Sequence, residues 1–79
     1  MDRILYIDDD EGIRRLASRA LARRGWDVTT ADGGELGVRI AAEQHFSLVA
    51  VDHYMPGIDG LETLSRLRAL PDPPSVRSV

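Results

Sequence analysis

No cysteine occurs in this chain of 79 residues, so disulfides and thiolate metal sites are excluded and the redox compartment stays open. Lysine is absent as well. All ten basic residues are arginine, so no lysine amine of this chain can assist chemistry. No apolar run approaches the ~20 residues of a membrane-spanning helix. Met1 is followed at once by Asp2, Arg3 and a short strand rather than by the apolar core of a signal peptide. An excess of basic charge is also missing, and a net charge of −3 argues against general nucleic-acid affinity, because gripping phosphates needs a basic face. The expectation is a soluble cytoplasmic protein with no nucleic acid and no membrane among its partners. What remains is an ordinary globular composition, 43% hydrophobic and 29% charged. At this length it forms one small domain, near the size where a single core becomes marginal.

Two near-continuous apolar runs, Arg3 to Ile7 and Ser47 to Val51, predict strands buried on both faces of a parallel sheet. Trp26 to Ala31 alternates and is rich in β-branched residues, which predicts an edge strand. Helical patterns lie between them. Ile13, Leu16, Ala17, Ala20 and Leu21 follow the i, i+3, i+4, i+7, i+8 rule, and Gly25 stops that helix as a left-handed residue. A second helix runs from about Glu35 to Gln44 with Leu36, Ile40 and Ala41 inward, and Gly33-Gly34 before it reads as a loop. A third carries Leu61, Leu64 and Leu67 and ends before Pro71 and Pro73-Pro74. The order β-α-β-α-β-α with right-handed crossovers gives an open, doubly wound α/β sheet with helices on both faces. The tail from Ser75 begins like a fourth strand, yet Ser75, Arg77 and Ser78 are polar for a doubly buried position. With the third strand's edge open, the chain is expected to associate, as a homodimer or with a complementing chain.

The acids carry the chemistry. Asp8-Asp9 end the first strand and Asp52 ends the third, so parallel pairing of those strands brings three carboxylates to one sheet edge. Their mutual repulsion, up to ~4 kcal/mol per pair at about 4 Å and an effective dielectric of roughly 20, calls for a cation. An all-oxygen site with few protein ligands suits a hard ion such as magnesium, Mg²⁺, which often works beside a phosphate. Asp10 and Glu11 continue the run as first-turn residues favoured by the helix dipole. A calcium-loop interpretation of Asp8 to Gly12 fails, since its fifth position is Gly12 and its twelfth is Arg19. Arg14, Arg15, Arg19, Arg23 and Arg24 are expected to keep the outer side of the first helix solvated, and His45 and His53 to be structural or surface residues.

The acidic pair Asp8-Asp9 and the run Asp52-His53-Tyr54-Met55-Pro56-Gly57-Ile58-Asp59-Gly60 resemble the receiver domain of two-component response regulators. Both motifs, their separation and the intervening β-α-β-α pattern make the signal specific, and it covers almost the whole chain. The resemblance implies a flavodoxin-like sheet of three to four strands in the order 2-1-3-4, with the site at the switch point between strands one and three. It implies that Asp52 accepts a phosphoryl group from a phosphohistidine on a sensor histidine kinase or phosphotransfer protein. It further implies that Asp9, Asp52 and the Tyr54 backbone carbonyl ligate Mg²⁺ directly, with Asp8 acting through a bound water. Enzyme activity would amount to self-phosphorylation from a phosphodonor and slow autodephosphorylation.

The family also uses a Ser or Thr ending the fourth strand and a Lys ending the fifth. Residues 1–79 correspond to roughly the first two-thirds of a usual receiver, and the expectation is a receiver domain truncated at its C-terminus, either complete in an unusual assembly or an excised fragment of a longer response regulator. The alternative function is a non-catalytic interaction module that keeps receiver architecture. A metal-dependent phosphatase with an aspartate nucleophile is disfavoured, because His53-Tyr54 supplies no second acid just after Asp52.

Overall fold

A computed structural model describes residues 2–52, 58 and 60–78. The elements run β1 (Arg3–Ile7), α1 (Glu11–Arg23), β2 (Asp27–Ala31), α2 (Gly34–Glu43), β3 (Leu48–Val51), α3 (Gly60–Arg68) and β4 (Ser75–Ser78). The four strands are parallel and ordered β2-β1-β3-β4, the expected doubly wound arrangement. Passing from β1 to β2 moves one way across the sheet, whereas β2 to β3 and β3 to β4 move the other way. Right-handed crossovers therefore put α1 on one face and α2 and α3 on the opposite one.

The core lies on the α2/α3 side. Leu5, Ile7, Val49, Val51 and Val76 from the strands meet Leu64, Leu67 and Phe46, with Leu36, Ile40 and Ala41 packed against them. Two glycines set how closely this layer closes. A Cβ on Gly34 would run into Thr63 Oγ1 and the Ile58 side chain, and one on Gly37 into Ile7. Gly34 is thus the first residue of α2, buried in the α2/α3 contact, and not the loop residue that a Gly-Gly pair suggests.

The leucines of α3 do not share one face. Gly60, Thr63, Leu64 and Leu67 are buried, while Leu61 is 61% exposed. At 3.6 residues per turn, positions 61 and 67 diverge by about 120°, so only one can face the sheet. The i, i+3, i+4, i+7 set beginning at Gly60 wins.

On the other face α1 has no buried residue, with Ile13 46% and Leu16 68% exposed. The half-buried positions of α1 are Arg14, Ala17, Ser18 and Leu21, so of the predicted stripe only Ala17 and Leu21 face β1 and β2, and Ile13, Leu16 and Ala20 are exposed. Its terminus is as expected. Gly25, at φ 93°, donates to Ala22 and Trp26 donates to Leu21 across 3.0 and 3.1 Å, a left-handed cap that satisfies the last carbonyls.

The polar tail is a strand after all. Ser75 to Ser78 pair with Leu48 to Val51, so the open edge expected at β3 is closed, and β2 and β4 are the edge strands. Val76 joins the core, while Ser75 and Arg77 are exposed, which an edge strand covered on one face tolerates.

Candidate functional site

Ile7 of β1 stands between Ala31 of β2 and Val51 of β3, so the chain leaves the three strands at one level. The ladder continues one residue further. Asp8 N–H donates to the Ala31 carbonyl at 3.1 Å and Asp52 N–H to the Ile7 carbonyl at 2.8 Å, which fixes the backbone of both acids. Asp8, Asp9 and Asp52 each place a carboxylate oxygen within 4.8 Å of the others. The convergence expected from the sequence is therefore present at the C-terminal edge of the central strands. Three hard oxygen donors that close suit a divalent ion such as Mg²⁺ in their chemistry. The Tyr54 carbonyl, with His53, Met55, Pro56, Gly57 and Asp59, lies outside the described residues.

The three acids differ in setting. Asp8 is 4% exposed, Asp52 is half-buried and Asp9 is exposed. Asp8 is also tightly held: Oδ1 accepts from Asp10 N–H at 3.0 Å, Oδ2 from the Tyr6 hydroxyl at 3.2 Å, and its carbonyl from Arg14 Nη1 at 2.8 Å. Among the described residues no buried side-chain nitrogen or oxygen lacks a partner. Asp10 caps α1, its Oδ1 accepting from Ile13 N–H at 3.0 Å, and Glu11 stands in the first turn, as their place in the sequence predicts. Glu11 pairs with Arg15 at 3.2 Å on the exposed helix surface.

Two contributors were not read from the sequence. Arg14 is half-buried and bonded to the Asp8 carbonyl, rather than one more solvated charge of the α1 face. Tyr6 lies two residues before Asp8, and strand alternation puts both on the same face. That spacing was the available signal. Burial first, then the Asp8 charge, the hydrogen bond to Asp8 and the Asp52 charge push the Tyr6 phenol from 10.0 up to about 12. A folded-state value above the unfolded one gives a stabilisation that is complete below pH 10 and is lost as the pH rises through about 12. Absorbance titration of a Tyr54→Phe protein, which leaves Tyr6 as the one tyrosine, should show that late midpoint. A midpoint near 10 would contradict the hydrogen-bonded setting.

Residues 4–79 match the family model of the response regulator receiver domain. The chain belongs to that family. This receiver domain is 41% identical over 68 residues to the transcriptional regulatory protein AfsQ1 of Streptomyces coelicolor, a match covering 86% of the chain and 30% of AfsQ1. It superposes with a TM-score of 0.84 on response regulator protein TrrA of Thermotoga maritima in complex with Mg²⁺-BeF, at 38% identity over 86% of this chain and 59% of that one. Against the complex of histidine kinase ThkA with TrrA the TM-score is 0.92, at 33% identity over 99% of this chain and 67% of the other. The receiver domain thus spans less than a third of the curated relative's length. Among the described residues no helix is long and apolar enough to cross a membrane.

Proposed function

We propose that this receiver domain accepts a phosphoryl group on Asp52, with Mg²⁺ held by Asp9, Asp52 and the Tyr54 carbonyl and contacted by Asp8 through water. The observation that carries the proposal is the convergence of Asp8, Asp9 and Asp52 oxygens within 4.8 Å in a chain of this family. The donor is a phosphohistidine of a sensor histidine kinase or phosphotransfer protein, supported by the kinase bound to the similar TrrA. An Asp52 carboxylate oxygen attacks phosphorus, the P–N bond breaks, and its electron pair returns to the imidazole nitrogen, leaving an acyl phosphate. When bound, the ion supplies charge neutralisation on the transferring group. The chain itself contributes rigid placement of the nucleophile, through the Asp52–Ile7 ladder bond. Positioning and electrostatics are the larger part of phosphoryl-transfer catalysis.

A cytoplasmic location and association with a second copy or a complementing chain belong to the same proposal. The exposed Ile13 and Leu16 on α1 support the association.

Ligand linkage makes the metal testable without a kinase. At ten times Kd, Mg²⁺ adds about 1.4 kcal/mol of stability, so the melting temperature should rise with millimolar Mg²⁺. In Asp9→Asn most of that rise should vanish. A wild-type melting curve indifferent to Mg²⁺ sinks the metal assignment.

A further inference from the structure

Asp8 is the most enclosed of the three acids, and its two carboxylate oxygens have separate protein donors. One is the backbone N–H of Asp10, available to any residue at that position. The other is a side-chain hydroxyl, that of Tyr6. Tyr6 faces Thr30 and Ala50 across the two ladders, both small, and Ala50 is buried. Tyr6 is half-buried at this register, and its hydroxyl reaches Asp8 at 3.2 Å. It joins the penultimate residue of β1 to the acidic cluster at that strand's end.

We propose that Tyr6 is a positioning residue of the metal site, acting through Asp8. The hydroxyl turns Oδ2 toward the strand while Asp10 N–H holds Oδ1, so the Asp8 carboxylate keeps one orientation before any ion arrives. A buried carboxylate with both oxygens fixed presents its remaining lone pairs in set directions, and the ion meets a pre-arranged site instead of ordering one. Partners that orient direct metal ligands typically account for about 10- to 100-fold in affinity, and Tyr6, acting on an acid that reaches the ion through water, belongs at the low end of that range. The inference rests on the Mg²⁺ site proposed above.

The test is calorimetric titration of Mg²⁺ into wild type, Tyr6→Phe, Asp8→Asn and the double variant, with circular dichroism to establish folding. Tyr6→Phe keeps the ring and removes only the hydroxyl, and it should weaken Mg²⁺ binding by about 10-fold. In the Asp8→Asn background the same change should have little further effect, because residues acting through one another are non-additive. Tyr6→Leu separates ring packing from the hydroxyl: its loss of affinity should match that of Tyr6→Phe even though it melts lower. Tyr6→Phe binding within twofold of wild type overturns the Tyr6 role and leaves the metal site standing. Equal losses with and without Asp8 overturn the route through Asp8. Wild-type protein that takes up no Mg²⁺ overturns the metal site and the Tyr6 role together.

Discussion

Asp52→Asn is expected to abolish phosphoryl uptake while leaving the fold intact or slightly more stable. Asp52 is the one acid of the cluster that ends β3, and its backbone is locked to Ile7 by a 2.8 Å hydrogen bond. Asp8 has both carboxylate oxygens engaged by protein donors, and Asp9 is exposed. An asparagine amide has the same size but no anionic oxygen to attack phosphorus. It also removes one of three clustered negative charges, whose repulsion at an effective dielectric of roughly 20 is worth up to about 4 kcal/mol per close pair. Wild-type protein with Mg²⁺ and acetyl phosphate should gain one phosphoryl mass, and beryllofluoride should raise its melting temperature. Both responses should disappear in Asp52→Asn. A phosphoryl adduct persisting at the wild-type level would move the acceptor to another residue.

Leu67→Ala should cost the domain a large part of its stability. Leu67 is fully buried, on the helix that packs against β3, β4 and α2. Leu→Ala changes in cores cost about 2–5 kcal/mol, against a total of roughly 4–12 kcal/mol for a chain of this size at the usual 0.05–0.15 kcal/mol per residue. The urea midpoint should fall by at least about a sixth, and by about half or more if the total lies near the low end, with little change in slope. Leu61→Ala, at a position 61% exposed, should stay within about 0.5 kcal/mol of wild type. Equal losses at the two leucines would mean that α3 is rotated from the orientation described.

Where apolar runs are short and end in acids, the fold and the convergence of three carboxylates were legible. Ile4 to Ile7 and Leu48 to Val51 can be buried on both sides in one way, as central parallel strands, and that pairing alone carries Asp8, Asp9 and Asp52 to one edge. Residues whose role depends on a neighbouring element were not legible. Gly34 reads as a turn residue until α3 is packed beside it and Thr63 occupies the space of its absent side chain. Leu61, Leu64 and Leu67 look equivalent in a list of leucines, and only the position of Gly60 and Thr63 against α2 decides which of them turn inward. The four residues of β4 carry one buried apolar side chain, Val76, too little for a periodicity to register. Tyr6 resembled any β-strand aromatic because its hydroxyl matters only after the strand's end is seen to be crowded with carboxylates.

The unburied α1 has a consequence for how the domain opens. Segments with little buried apolar area have the smallest free energies of local unfolding, and they leave the native structure before the rest. Among the described residues, α1 is the helix with no buried residue. Yet it is stitched to Asp8 at two points, through the Asp10 N–H on the carboxylate and the Arg14 guanidinium on the carbonyl. When α1 melts away it releases the Arg14 clasp on the most enclosed acid of the cluster, while the Asp10 N–H bond is local to the turn before the helix. The fully clasped arrangement of Asp8 therefore exists only while the first turn of α1 is in place, and the order of the acidic edge is linked to the order of this helix.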